Sequence, residues 1–192
     1  MKTKKNRQKI AWILTAALLV MALVGCGNSG GSDAGEEQEE YPIALYYVND
    51  AYVETGDESL EPLVVTEGTL NIESSLIEER YQQTLEMLSQ PVDGADTMLR
   101  QGMVHGVTVS DGLAVVDFDS NMMYGGSMEE TFLIEQVVRT LIKSFDDVER
   151  VTFTVDGEEV DSLMGHLEAN CTYGLIAVEE DGTEVELVSI VE

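Results

Sequence analysis

The apolar residues of this chain fall into blocks, and the spacing inside each block predicts an element. Five basic residues, Lys2, Lys4, Lys5, Arg7 and Lys9, precede an apolar run from Ile10 to Val24. A cationic start followed by roughly 15 apolar residues reads as an export signal, too short for a comfortable membrane span. The stretch from Gly27 to Glu40 holds no large apolar residue. That composition predicts a flexible, self-repelling tether with a reach of about 20 Å. Apolar character resumes at Ile43-Ala44-Leu45-Tyr46-Tyr47-Val48, a β-favouring run. Pro62 to Val65 predicts a second short strand, with the proline confined to a strand start or an edge. Between Ile72 and Ser89 the period lengthens. Ile77, Tyr81, Leu85 and Leu88 share one helical face, and Pro91 and Gly94 close that helix.

Two strands are expected next, over Met103–Val109 and Leu113–Phe118, joined by Asp111-Gly112, a strong signal for a tight hairpin. Leu113 to Val116 are apolar at successive positions, which predicts cover on both faces. His105 alternates with Val107 and Val109 and is expected on the core side. Gly125-Gly126 breaks the chain before a second helix, with Ser127 as the N-cap and Glu130 completing a capping box. Ile134, Val137, Val138, Leu141 and Phe145 form the apolar stripe of that helix. Val151, Phe153 and Val155 then alternate with polar residues, as in a half-buried strand. Cys171–Val178 and Glu184–Val191 predict a final hairpin around Asp181-Gly182. The order β-β-α-β-β-α-β with a C-terminal hairpin implies an α+β fold, one mixed or antiparallel sheet carrying two helices. The organisation expected is a signal over 1–25, a tether over 26–40 and one domain over 41–192. The domain's core spans about 43–165, with a β extension over 166–192. Its length suffices for a hydrophobic core.

Charge sharpens this picture. The 192 residues include 37 acidic and 10 basic side chains, a formal charge of −27. All the acids lie beyond residue 25 but only five of the bases do, so the remainder carries −32. Such a field opposes nucleic-acid binding and repels anionic lipid headgroups, and it favours cationic partners or loosely held divalent ions. Much of the acid is accounted for as solvated surface.

The apolar run ends in Leu23-Val24-Gly25-Cys26. This ending resembles the lipobox of bacterial lipoproteins, in which the cysteine is acylated and becomes the first residue of the mature chain. The resemblance implies lipid attachment at Cys26 and a body held on the extracytoplasmic face of the cell membrane. Two or more acyl chains anchor stably where one does not. With Cys26 so used, Cys171 has no intramolecular disulfide partner, and its surroundings suit a small buried residue better than a nucleophile.

Further stretches resemble the GerMN domain of sporulation and germination lipoproteins. They are Ala44-Leu45-Tyr46-Tyr47-Val48, Val107 through Phe118, Gly126-Ser127, Gln136 through Leu141, and Val148 followed by Val151 through Gly157. In order they cover about 43–165. The family is similar, in its α-β-β-α-β portion, to ring-building modules of a sporulation secretion channel. The resemblance implies a non-catalytic envelope protein that works by contact with an envelope partner or with its own copies, with a link to sporulation or germination. The chain departs from some relatives in having one such domain, and in adding Cys171–Glu192.

The chemistry-bearing residues agree with that reading. No nucleophile–base pair stands at local spacing, and neither a Gly-rich phosphate loop nor a His/Cys metal cluster is present in the sequence. No catalytic residue, metal site or cofactor is therefore expected. Asp117, Asp119 and Asn121 alternate like the first ligands of a calcium loop. The pattern then fails, with Met122 where a glycine belongs and Met128 where a bidentate glutamate belongs. Asp117 and Asp119 are expected to end a buried strand and accept hydrogen bonds from the turn that follows, with at most a weak ion contact. The sheet edges, Met122–Ser127 and the outer side of the helix Met128–Ser144 are the expected contact surfaces. The alternative is an envelope domain that binds or acts on cationic peptides, wall fragments or divalent ions, using the carboxylate-rich strand end.

Overall fold

A computed structural model describes residues 38–178 and 184–190. The expected signal, Cys26 and the turn at Asp181-Gly182 lie outside the described residues, as does the tether up to residue 37.

Strand β1 (Gln38–Asn49) runs antiparallel to β2 (Leu63–Glu73) in an unbroken register from Gln38↔Glu73 to Val48↔Leu63. It starts inside the expected tether, because Gln38–Glu40 pair with Asn71–Glu73. The second strand is likewise far longer than Pro62–Val65 suggested. Glu67, Gly68 and Asn71 interrupt its apolar pattern, yet the ladder to β1 carries the extended backbone through them. Ile72 thus ends a strand rather than starting a helix. After a 3-10 turn over Ser74–Glu79, helix α2 (Arg80–Leu88) buries Tyr81, Leu85 and Leu88 as the spacing predicts. The short helix α1 (Asp50–Thr55) and the short strand β3 (Ala95–Asp96) complete the first half.

Strands β4 (Val104–Ser110) and β5 (Leu113–Phe118) form the expected hairpin. Asp111 (φ 52°) and Gly112 (φ 77°) both take positive φ, as a tight primed turn requires. Helix α3 (Ser127–Ser144) crosses over to β6 (Arg150–Val155), which lies parallel to β5. Strand β7 (Glu158–Glu159) hooks back on β6, and β8 (Thr172–Val178) with β9 (Glu184–Ile190) form the C-terminal hairpin.

The α+β class is as expected, but the strands divide into two sheets rather than one. The first has the order β2-β1-β3, and the second runs β4-β5-β6-β8-β9 with β7 beside β6. Helix α3 is the reason. It lies along the edge of β1 that would otherwise meet a further strand, and it satisfies that edge with side chains. Ala44 N–H donates to Ser144 Oγ (3.0 Å), and Tyr46 N–H donates to Thr140 Oγ1 (3.1 Å). Gln136 Nε2 donates to the Tyr46 carbonyl (3.0 Å) while its Oε1 accepts from Met98 N–H (2.8 Å). Gln136, Thr140 and Ser144 sit four apart, so they form one polar stripe along the helix. Gln136 and Thr140 are fully buried, and their bonds to the Tyr46 C=O and N–H replace ones that a strand would have made. Pro42, which has no N–H to satisfy, occupies the same edge.

The apolar stripe of α3 packs into one core with both sheets. Leu133, Val137, Val138 and Leu141 meet Leu45 and Tyr47 from the first sheet and Phe118, Phe153 and Tyr173 from the second. Held between two sheets, α3 has no exposed residue from Glu130 to Ile142. The outer helix side expected as a contact face is therefore reduced to Ser127–Glu129 and Lys143.

Candidate functional site

One end of the second sheet gathers the chemistry-bearing side chains. Strand β5 ends at Asp117-Phe118 with Asp119 next, and β6 ends at the turn Asp156-Gly157, where Asp156 takes a φ of 52°. Parallel pairing puts Asp117 opposite Thr154, whose Oγ1 donates to Asp117 Oδ1 (2.7 Å), as does Gly157 N–H (2.7 Å). Asp119 caps a 3-10 turn over Ser120–Met122 by accepting from Asn121 N–H (2.9 Å) and Nδ2 (2.8 Å). Those bonds hold its carboxyl below the usual carboxylate range, with His105 adding to the effect. Asp156 accepts from Ser120 N–H (3.2 Å) and is likewise lowered, chiefly by Ser120. Asp119 accepts from the turn directly after its strand, whereas Asp117 accepts from β6 and the turn that ends it, 37 and 40 residues further on.

His105 is not on the core side. The β4–β5 register shifts between Val104 and Gly106, and this bulge resets the alternation that Val107 and Val109 suggested. The imidazole turns outward among the carboxylates. Its Nδ1 lies 3.6 Å from Asp117 Oδ2 and 3.8 Å from Asp156 Oδ1, and its Nε2 lies 3.8 Å from Asp119 Oδ2. These separations exceed hydrogen-bond length. The ligand-type atoms of His105, Asp119 and Asp156 lie within 4.8 Å of one another, so the trio offers one nitrogen and two oxygens to a cation. Asp156, 37 residues beyond Asp119, carried no sequence signal of its own.

Beside this cluster the segment Met122–Gly126 is pinned from two sides. Arg100 donates to the carbonyls of Met122 and Tyr124, and its guanidinium sits 4.0 Å from the centre of the Tyr124 ring. Gly125 fits closely against Met164 and Glu129, where an added Cβ would lie 2.8 Å from Met164 Sδ. The pinned segment nonetheless presents apolar surface, since Tyr124 is 61% exposed, and Met128 just beyond it on α3 is 53% exposed.

The segment borders a buried carboxylate that sequence reasoning assigned to another task. The N-cap of α3 is Gly126 rather than Ser127, and Glu129, not Glu130, accepts from the cap N–H (2.9 Å). One residue further is a turn of about 100° around the helix, which carries Glu130 inward to full burial. There Oε1 accepts from Ser162 Oγ (2.8 Å), Leu163 N–H (2.9 Å) and Met164 N–H (2.8 Å). Oε2 accepts from His166 N–H (2.8 Å) and Leu167 N–H (3.1 Å). Burial pushes this carboxyl up, but the bonds from Met164, Ser162, His166 and Leu167 outweigh it and hold it below the ordinary glutamate value. A signal for this did exist, because Glu130 stands four residues before Ile134 on the apolar stripe. His166, which the sequence left unassigned, reaches the Gly125 carbonyl with Nε2 (3.3 Å). Cys171 is half-buried and free, with Sγ 3.6 Å from the Glu168 carbonyl.

Fold and site together define a class: a small α+β module with a long helix between two sheets and an acid-rich pole beside a pinned apolar segment. The chain belongs to the Germane family, "Sporulation and spore germination", whose model matches residues 44–161, as the GerMN resemblance implied. The first GerMN domain of the sporulation protein GerM from Bacillus subtilis is similar in structure, with a TM-score of 0.50 at 16% identity. The match covers 67% of this chain and 92% of that one. A candidate lipoprotein from Clostridium perfringens aligns with a TM-score of 0.43 at 16% identity, over 76% of this chain and 93% of that one. The tandem GerMN domains of the Bacillus subtilis GerM protein align with a TM-score of 0.49 at 17% identity, over 79% of this chain and 60% of that one. No curated protein matches the chain. Among the described residues, no helix is long and apolar enough to cross a membrane.

Proposed function

We propose that this protein is a lipoprotein anchored through Cys26 on the extracytoplasmic face of the cell membrane, and that its GerMN-type domain acts by protein contact rather than catalysis. The observation that carries the reading is the pinned segment Met122–Gly126. An exposed tyrosine whose backbone and ring are both held by Arg100 is ordered before a partner arrives, so it loses little conformational freedom on binding. The family assignment supports work in sporulation or germination, and Leu23-Val24-Gly25-Cys26 supports the anchor. An acidic tether keeps the domain near the membrane and raises its local concentration there. The test is a pull-down of tagged protein from cross-linked native membranes, read by mass spectrometry. The wild type should recover a defined envelope partner or its own multimers, and Tyr124→Ala should lose it. Cys26→Ala should leave the membrane fraction. Recovery of bare monomer from the wild type would sink the contact reading.

A second reading is favoured by one observation, the approach of His105 to three carboxylates. It is the binding of a divalent cation or a cationic envelope fragment at that pole. Zinc or calcium should then raise the melting temperature of the wild type but not of Asp119→Asn. Equal behaviour of the two proteins would remove this reading.

A further inference from the structure

The two edges of β1 and β2 are treated very differently. The α3 side of β1 is closed by Ser144, Thr140, Gln136 and Pro42, and further along by β3, which pairs at Val48 and Asn49. Because Ala44 and Tyr46 direct their main-chain groups at α3, alternation directs those of Ile43, Leu45 and Tyr47 at β2. Their partners Gly68, Thr66 and Val64 answer them. The intervening positions Val65, Glu67, Thr69 and Asn71 then direct N–H and C=O away from the sheet. Among the described residues, nothing hydrogen-bonds to these outward groups. The strand is eleven residues long, with no bulge in its register and no lysine, arginine or proline on it, the usual devices that blunt an edge. At strand geometry it offers roughly 35 Å of unpaired main chain.

Beneath this edge, between β2 and α2, lies a groove of about 440 Å³ whose lining includes Leu70, Met87, Gln82, Gln83, Glu79 and Glu86. A strand added to β2 would place alternate side chains over it. Charge selects the occupant. From Asp50 to Glu79 the chain holds nine acidic residues and no basic one. Glu67 stands on the solvent face of the edge, and Glu79 and Glu86 line the groove on the other. A second copy of this chain would bring the same charges to the pairing, and like charges disfavour it.

We propose that the β2 edge takes up an extended, lysine- or arginine-rich segment of a partner protein as an additional antiparallel or parallel strand. Main-chain bonds to Val65, Glu67, Thr69 and Asn71 supply the pairing, and the carboxylates on both faces select for basic side chains. This surface is separate from Tyr124 and does not depend on the anchor.

The test uses the full chain in mild non-ionic detergent and a blocked octapeptide of alternating lysine and valine. Amide exchange should slow at Val65, Glu67, Thr69 and Asn71 when the peptide is added at low salt. Thr69→Pro, which deletes an outward N–H that β1 does not use, should weaken binding at least tenfold. Glu67→Lys, which leaves the backbone intact, should also weaken it and should favour a blocked octapeptide of alternating glutamate and valine instead. Tyr124→Ala should bind as the wild type does. Absence of protection would overturn the proposal. So would equal binding of a peptide N-methylated at alternate residues, since that would make the attraction charge alone. Concentration-dependent dimers that protect the same four amides without peptide would assign the edge to a second copy and likewise overturn it.

Discussion

Two groups of carboxylates in this molecule behave as opposites. Glu130 is fully buried and, among the described residues, has no salt-bridge partner, and five donors from Ser162–Leu167 converge on its two oxygens. Asp117, Asp119 and Asp156 stand at the wet end of the second sheet, each bonded to only one or two donors, with His105 out of hydrogen-bond reach. The same chemical group thus does two things. In the interior a carboxylate without enough donors would be driven neutral, so its survival as an anion requires a complete shell. That shell is a loop, and closing it around Glu130 fixes the connection from β7 to β8 and the wall against which Gly125 packs. At the surface, water supplies what protein does not, and the carboxylates keep spare acceptor capacity for a visitor.

The comparison breaks most readily at Glu130. Glu130→Gln keeps the shape but turns an NH₂ group against N–H donors. It should cost about 3 kcal/mol, a fall in melting temperature of roughly 10 °C for a domain of this size. Amides of Leu163 to Leu167 should exchange fastest in the variant, and an unchanged melt would show that the loop holds without its anion.

Acid should sharpen the same contrast. A carboxyl held below its ordinary value of 4.5 in the folded state stabilises the fold above that value. The contribution fades as pH falls below 4.5 and through the lower folded value, where protonation unmakes the acceptor. Wild-type stability should therefore drop more steeply below about pH 4.5 than that of Glu130→Gln, as chemical denaturation at stepped pH would reveal. Parallel curves would place the acid sensitivity elsewhere.

At the pole the expected effects are smaller. Asp117→Ala removes the acceptor for Thr154 and Gly157 and should cost about 1–2 kcal/mol, with or without calcium. A calcium-dependent melting shift in the wild type that the substitution abolishes would make Asp117 an ion ligand rather than a strand-end brace. Smallest of all, His105→Ala should leave the melting temperature within about 1 °C, because the imidazole is half exposed and makes no direct bond.

Much of this architecture could be read along the chain. The Asp111-Gly112 hairpin, the stripe of α3 and the alternation of β6 depend on neighbours a few residues apart, so periodicity and turn chemistry suffice to place them. Asp119 as an acceptor for the turn after its strand was legible for the same reason, whereas the donors to Asp117, Thr154 and Gly157, lie 37 and 40 residues away. The misreadings share a cause as well. A single-residue bulge turned His105 outward, one residue at the helix start exchanged the roles of Glu129 and Glu130, and a ladder to β1 extended β2 through polar and glycine positions. Each is a one-residue or register matter that local pattern does not resolve, because the deciding partner is distant in sequence.

The sequence by itself determined the two main helices, the β4–β5 hairpin, the strand β6 and the acid excess. Those properties follow from backbone preference, periodicity and side-chain charge, all local. The tertiary structure decided that Gln136, Thr140 and Ser144 would stand in for a strand and split the sheet in two. It also decided that Glu130 would be clasped by Ser162–Leu167, that Asp156 would join Asp119 and His105, and that one edge of β2 would stay open. These outcomes depend on hydrogen bonds between residues 30 to 100 positions apart. A buried donor or acceptor must find a partner wherever the fold brings one, and chain order does not announce where that will be.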